Sequence, residues 1–434
     1  MRLSSWSNLH EFFRGIRQSA VTQPSKSKSI KAFNDPVYGF ITIEDDLIFR
    51  LIEHPDFQRL RRISQLGLTT LVYSGANHSR FQHALGAMNL MKNAISVLRS
   101  KGVEISSEEE RGAKIAILLH DIGHGPFSHA LENTIVKGVN HEQISLMIMN
   151  MLNDEFDGQL SLAIEIYTGK YPVKFLHQLV SSQLDTDRLD YLKRDSFFTG
   201  VSEGVIGSER LIKMMTVHED NLAVEAKGIY SLEKFLLARR LMYWQVYLHK
   251  TVVSAEFLLM NILLRSRELI RSGKKVTGSE SLLYFLSRDS ELSEGNRAEW
   301  LPHFLKLDDF DVMSAVKQWA FEDNVVLRSM CERLINRDLL KIKILDAPLS
   351  REALNDMRAK LAAQLGWKAD DAAYLIFQKS LTNTAYDPEN ERITVLFKDG
   401  TAKDIREAAT IFRFTSLESA ETKHFLYYPA GFDA

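Results

Sequence analysis

Three histidines and an aspartate are packed into twelve residues, Leu118-Leu119-His120-Asp121-Ile122-Gly123-His124-Gly125-Pro126-Phe127-Ser128-His129. An adjacent His-Asp pair offers an imidazole nitrogen and a carboxylate oxygen, two ligands that a hard or borderline divalent ion accepts. An aspartate where a core helix ends needs a partner or a metal, because an uncompensated buried carboxylate is costly. Histidine usage points the same way. Six of the thirteen histidines (His78, His83, His120, His124, His129 and His141) fall between positions 78 and 141, where even usage would put about two. Two capping residues with scattered surface histidines would explain the pair alone but not the clustering, so a metal site is expected here.

The elements that must hold these residues are helices. Ser107 stands three residues before Glu110, a capping-box spacing, and Glu108 to Glu110 suit the positive end of a helix dipole. Ala113 and Ile115 to Leu119 then make that helix apolar nearly all round, which predicts burial. Gly123, Gly125 and Pro126 end it, and Pro126 opens a next helix carrying Ser128, His129 and Glu132. Upstream, Ser79 and Gln82 have capping-box spacing, and Phe81, Leu85, Met88, Met91, Ile95 and Leu98 recur at helical intervals to about Arg99. Arg80 and His83 fall in its first turn. Another helix opens at His141-Glu142. Between Leu184 and Asp195, Asp185, Asp187, Asp190 and Asp195 alternate with Arg188, Lys193 and Arg194. Taken alone this is a solvated, salt-bridged helix, although Leu184, Leu189 and Leu192 bring some of the aspartates near the core boundary.

The remaining chain predicts a turn at Asn34–Gly39, a strand over Phe40–Ile43, and two helical stretches divided at Pro55. The second turns Phe57, Leu60 and Ile63 inward, displays Arg59, Arg61 and Arg62, and ends at Gln65-Leu66-Gly67. Residues 231–271 are again helical, with Arg239, Arg240, Tyr247, His249 and Lys250. Residues 272–300 read as a long loop or insertion. After Arg337 strands are expected near Leu339–Leu345, Ala373–Phe377, Ile393–Phe397 and His424–Tyr428, interrupted by a helix over Arg351–Leu365. The organisation expected is a basic, poorly ordered leader (1–30), a mainly α body (31–336) and a small α+β region (337–434).

Composition excludes some classes. The 434 residues carry 54 Lys plus Arg against 56 Asp plus Glu, a net charge of −2, so no global basic field invites nucleic acid. The lone Cys331 rules out an internal disulfide framework and fits a reducing, cytoplasmic setting. No apolar run is long enough to span a bilayer.

Four pieces together carry a family resemblance: His83 in Ser79-Arg80-Phe81-Gln82-His83, the pair His120-Asp121, the following Gly-His-Gly-Pro-Phe-Ser-His, and Asp187 in Asp-Thr-Asp-Arg-Leu-Asp-Tyr. The chain resembles the HD-domain phosphohydrolases, and within them a bacterial branch similar to the SAM- and HD-domain dNTP triphosphohydrolases, from about Lys31 to Lys341. The resemblance implies an HD-type helical core with one divalent ion on His83, His120, Asp121 and Asp187. Spacing alone does not separate Asp187 from Asp185, Asp190 and Asp195, and Fe, Mn, Zn, Mg and Ni are all compatible with the ligand set. It also implies attack by water on the α-phosphorus of a dNTP, whose triphosphate can carry its own Mg, releasing deoxynucleoside and tripolyphosphate. Arg80, His124, His129 and His141 would surround the phosphates, with His129 the proton donor and Glu132 its partner. Arg188 would sit on the phosphates, Gln65 and Leu66 on the sugar, and Tyr191, Asp195, Arg239 and Tyr247 in the nucleotide pocket. An activating-nucleotide site is implied at Lys31, Glu53, Gln58 and Arg61, completed by Arg337 and Lys341 of another subunit in a homo-oligomer of two or four chains. The alternatives are an HD phosphohydrolase for a monophosphate, cyclic nucleotide or alarmone, and a nucleotide-sensing or nucleic-acid-binding protein with a structural metal.

Overall fold

The apolar run ahead of His120-Asp121 forms the helix Ser107–Leu119, and Ile115 to Leu119 are all buried. Its cap lies one residue earlier than expected. Glu109 N donates to Ser106 Oγ at 3.1 Å, and Ser106 N donates to Glu109 Oε2 at 2.7 Å. Glu110 is unavailable for the later box because Arg99 and Lys114 hold its carboxylate. The computed structural model describes residues 30–433 other than 129–131, 133, 135, 289–290, 384–391 and 410–420. The leader at 1–29 and His129 therefore lie outside the described residues.

Helix Arg80–Ser100 starts at the Ser79/Gln82 capping box, as its spacing predicts. It packs between Ser107–Leu119 and Thr186–Thr199, and this three-helix contact sets the positions of His83, His120 and Asp187. Thr186–Thr199 is not the solvated helix that its charges suggest taken alone. Asp185, Asp190, Arg194 and Asp195 are all buried. Arg194 donates to both oxygens of Asp190 at 2.8 and 3.0 Å, and to Asp35 Oδ2 at 2.8 Å. Pairing and charge-assisted hydrogen bonds are what let these groups leave water.

Gly86 makes the close approach feasible. A Cβ there would stand 2.0 Å from Asp190 Oδ1 and 2.1 Å from Arg194 Nη2. Gly86→Ala must therefore push the ion pair out of register. We expect a loss of roughly 3–5 kcal/mol, the scale of breaking a buried pair, measured by denaturant unfolding. A change below about 1 kcal/mol would show that the pair has room to move.

Three expectations need correction. Arg59 is not displayed: it is fully buried and donates to Ile122 O at 3.0 Å, His124 O at 2.8 Å and Leu307 O at 3.0 Å. The segment turns there into a short 3-10 stretch, Arg59–Arg62, whose tighter winding rotates Arg59 inward. Residues 272–300 are not a loop throughout, since Glu280–Ser287 is helical with Leu282, Phe285 and Leu286 buried. Flanking charges mask that short apolar face. The expected strand at Ala373–Phe377 begins only at Phe377. Ala369–Ala372 is a helical turn, and buried Leu375 and Ile376 occupy the bend after it. An apolar run alone does not distinguish these outcomes.

The fold is mainly α with small sheets. β1 (Lys31–Asp35) and β2 (Gly39–Ile43) form a hairpin. β3 (Met215–His218) and β4 (Asn221–Glu225) form another, turning through Glu219 and Asp220 at φ of 48° and 61°. Within the C-terminal part, β5 (Lys341–Leu345) and β6 (Phe377–Asn383) flank β9 (Glu421–Tyr428) in an antiparallel sheet. β7 (Thr394–Leu396) instead pairs in parallel with β4 and carries β8 (Ala402–Asp404), tying the C-terminal region to the helical body. Among the described residues no single helix is long and apolar enough to cross a membrane. The bent pair Ala226–Tyr247 and Lys250–Arg271 passes by length and composition only.

Candidate active site at the His-Asp loop

The four aspartates that spacing alone could not rank are separated by geometry. Asp185 is the N-cap of Thr186–Thr199 and pairs with Arg188 Nη1 at 2.6 Å. Asp190 accepts from His83 Nδ1 at 2.8 Å. Asp195 lies 2.7 Å from both His78 Nε2 and the Tyr247 hydroxyl. Asp187, in the first turn, has Oδ1 at 3.1 Å from His83 Nε2 and 3.5 Å from His120 Nε2.

His83 Nε2 and His120 Nε2 are themselves 3.4 Å apart. Ligand atoms about 2.1 Å from one ion, at angles between octahedral and tetrahedral, stand about 3.0–3.4 Å apart. The His83, His120, Asp187 triangle fits such an ion. Asp121 Oδ1 adds a fourth donor 3.4 Å from His120 Nε2. Both imidazoles are oriented through their other nitrogen: His83 by Asp190, and His120 by Ile117 O at 2.6 Å from Nδ1. That leaves each Nε2 facing the site, where an ion would take the place of a proton. Burial opposes charge on His83, yet Asp187 and Asp190 outweigh it and push it up to about 10. Burial likewise opposes the Asp187 charge, but His120 and His83 hold its carboxyl well below the usual range. Such mutual stabilisation marks a pocket whose carboxylates call for a cation.

A second cluster adjoins the first. Arg80 Nη1 is 2.5 Å from Asp121 Oδ2, and His124 Nε2 is 3.2 Å from Asp121 Oδ1. Burial and then Arg80 push His124 down to about 3, so it is neutral. Burial also opposes charge on His141, but Glu132, with Oε1 3.2 Å from His141 Nδ1, raises its pKa. Although His124, Glu132 and His141 are close enough to share an ion, the two rings stack at 4.0 Å and 16°. Imidazoles bind metals in the ring plane, and parallel rings do not aim at one point. The stacked rings present their nitrogens for hydrogen bonds rather than toward one coordination point. Within the described residues Glu132 faces His141, and its expected partner His129 lies outside them.

Both clusters open on one cleft of about 1040 Å³, at the upper end of the roughly 300–1,000 Å³ typical of small-ligand sites. Arg80, Asp121, His124, His141, Asp187 and Arg188 line it, and so do Gln65, Leu66, Tyr191, Asp195 and Tyr247. Arg239 does not: it is buried and donates to Gln183 Oε1 at 2.9 Å. Among the described residues, Arg80 Nε, Arg188 Nε and Gln65 Oε1 are buried without a hydrogen-bond partner, as suits polar atoms awaiting a ligand. Of the residues expected to bind an activating nucleotide, Arg61 Nε donates to Gln58 Oε1 at 2.7 Å and its guanidinium lies 3.6 Å from the Phe81 ring centroid. Lys31 stands over Phe49, while Glu53 is exposed. Arg337 donates instead to Leu71 O at 2.6 Å, and Lys341 begins β5.

Sequence reasoning missed the braces of the His-Asp loop. Arg59 binds two of its carbonyls. Asp309 accepts from Phe127 N at 3.2 Å and Ser64 N at 2.8 Å, holding Phe127 at φ 45°, a conformation costly for a residue with a Cβ. The only signal for Asp309 was its place at a helix start after Asp308, which suggests capping alone.

The sequence pattern described as HD domain matches residues 80–194, and that described as HD associated region matches 206–283. The uncharacterized protein YwfO of Bacillus subtilis (strain 168) is 33% identical over 412 residues, covering 92% of each chain. A deoxynucleoside triphosphate triphosphohydrolase SAMHD1 homolog of Dictyostelium discoideum is 32% identical over 269 residues, 58% of this chain and 52% of that protein. A solved phosphohydrolase from Bacteroides thetaiotaomicron superposes with a TM-score of 0.90 at 48% identity, covering 92% of this chain and 100% of that one.

Proposed function

This chain belongs to the HD-domain phosphohydrolases, and we propose that within them it cleaves deoxynucleoside triphosphates to deoxynucleoside and tripolyphosphate. The observation that carries the proposal is the single cleft that joins the His/Asp donor set and its cations to Gln65, Leu66, Tyr191 and Tyr247. A site for phosphate alone would not need the second half.

A divalent ion on His83, His120, Asp121 and Asp187 would supply a Lewis acid for a phosphate oxygen and a more acidic water. The chain's own groups do the rest. Arg80 and Arg188 neutralise charge developing on the phosphates. His124, kept neutral, accepts or donates a single hydrogen bond without adding a cation. His141 holds a proton through Glu132. The departing 5′ oxygen must take up a proton as the bond to the α-phosphorus breaks, and we assign that delivery to His129.

We also place regulation in the chain. Gln58 and Arg61 would bind an activating nucleotide, with Lys31 and Glu53 beside them and Arg337 and Lys341 supplied by a second copy. Our reading of the lone, buried Cys331 is a reducing cytoplasmic setting.

Incubating the purified protein with each dNTP, and with pairs of dNTPs, in Mn or Mg tests both parts. Tripolyphosphate and deoxynucleoside are the expected products, with faster turnover and a larger sedimenting mass when a second dNTP is present. Pyrophosphate, monophosphate or orthophosphate as the product would replace the triphosphohydrolase assignment. A rate and mass indifferent to the second nucleotide would remove the regulatory one.

A further inference from the structure

Among the described residues, the cleft holds one acidic group used neither by the donor set, nor by the phosphate-facing cations, nor by the Tyr247–His78 brace that holds Asp195. Glu256, on helix Lys250–Arg271, lines it together with Val253, Phe257 and Met260 of the same helix. Its Oε1 lies 3.9 Å from where a Cβ on Gly67 would stand, and Phe127 Cδ1 is equally close to that point. The carboxyl is therefore beside the Gln65-Leu66 edge of the cleft. Among the described residues it has no hydrogen-bond or ion-pair partner, the Tyr427 hydroxyl being only within electrostatic reach, and burial pushes it up to about 7. Lys379, the cation of β6 that also lines the cleft, sits over the Phe257 ring at 5.5 Å from Nζ to centroid.

A carboxyl left unpaired against apolar side chains costs free energy until a ligand brings donors to it. For a nucleotide those donors are not on the phosphates, whose negative charge a carboxylate repels. The flat, apolar surroundings of Phe257 and Met260 suit a base, and the bases differ in what they offer a carboxylate. Guanine presents two neighbouring N–H donors, N1–H and N2–H, which the two carboxylate oxygens accept together. Adenine and cytosine each set one donor beside one acceptor. Thymine sets its single N–H between two carbonyl oxygens that a carboxylate repels.

We propose that Glu256 is the base-reading residue of this cleft and takes the Watson–Crick edge of guanine on its two oxygens. The proposal rests on the cleft being a nucleotide site, as argued above, and deepens it by assigning a preferred base.

The test measures binding of the α,β-imido analogues of dGTP, dATP and dTTP to the metal-loaded wild type, Glu256→Gln and Glu256→Ala, alongside hydrolysis of the natural dNTPs and metal content. The wild type should prefer the dGTP analogue to the dTTP analogue by roughly tenfold or more, the worth of a charge-assisted hydrogen bond. Glu256→Ala should erase the preference. Glu256→Gln, with one donor and one acceptor, should move it toward dATP, a gain that a merely destabilised protein would not show. Preferences unchanged in both variants would overturn the proposal and leave the triphosphohydrolase reading standing. A Glu256-dependent preference for guanine without hydrolysis of any dNTP would sink that reading and uphold this one. A wild type that binds none of the analogues would overturn both.

Discussion

Asp187→Ala and His120→Ala are each expected to lose the bound divalent ion and, with it, hydrolysis. The three donor atoms of His83, His120 and Asp187 stand 3.1–3.5 Å from one another, so removing one takes away an edge of the coordination shell and, for Asp187, a charge as well. Changing an outer partner costs roughly 10- to 100-fold in metal affinity or activity, and losing a ligand should cost at least the upper end of that. Asp190→Asn provides the graded control. It keeps every ligand but weakens the hold on His83 Nδ1 and discharges the Arg194 pair, so, in protein shown by denaturant unfolding to remain folded, activity should fall by about 10- to 100-fold and recover in excess metal. Elemental analysis of the purified variants, read beside turnover, decides the matter. Full metal occupancy in both Asp187→Ala and His120→Ala would mean that the ion, and the chemistry assigned to it, lies elsewhere.

Hydrolysis of dGTP should exceed that of GTP by about 100-fold in kcat/KM. The Tyr247 ring is fixed because its hydroxyl donates to Asp195 Oδ2 at 2.7 Å, and Asp195 is itself held by His78 at 2.7 Å. Its edge meets Tyr191 at 79°, with centroids 6.0 Å apart. With Leu66 on the same cleft, and Gln65 Oε1 left for the sugar hydroxyl that both nucleotides share, an added ribose 2′ hydroxyl would clash with this wall. Exclusion of one added hydroxyl by an apolar wall is worth about 100-fold. Leu66→Ala should open the wall and bring the ratio toward unity with little loss on dGTP, whereas Tyr247→Phe, freed from Asp195, should narrow it less. Equal rates on GTP and dGTP in the wild type would remove the sugar-reading assignment and favour a phosphohydrolase for another nucleotide.

Much of this site is local in sequence, and the local part was legible. The apolar helix before His120-Asp121, the glycines that end it and the capping box at Ser79 follow from short-range periodicity and backbone chemistry, and each forms within a few residues of where the pattern puts it. The histidine clustering and the ordered motif identified the family before any fold was known, and three helices carrying His83, His120 and Asp187 do converge. What spacing alone could not do was rank Asp185, Asp187, Asp190 and Asp195, among which only the family resemblance singled out Asp187. About three turns of a single helix and its N-cap carry them, and their separate duties depend on which neighbour each one meets: Arg188, the His83–His120 pair, Arg194, or Tyr247 and His78.

Tertiary structure alone decided the rest. Arg59 has the sequence context of an exposed arginine, and only the convergence of Ile122 O, His124 O and Leu307 O makes its burial affordable. Arg239 matched a pocket residue yet turns to Gln183. Glu256 carried no motif, being an acid at the apolar start of its helix, and became significant only when the chain folded that helix against Gly67 and left the carboxyl without a partner among the described residues. Periodicity reports which side of an element faces the core. It does not report what stands on the other side of a contact, and for charged groups that neighbour decides whether burial is stable, and to what use the group is put.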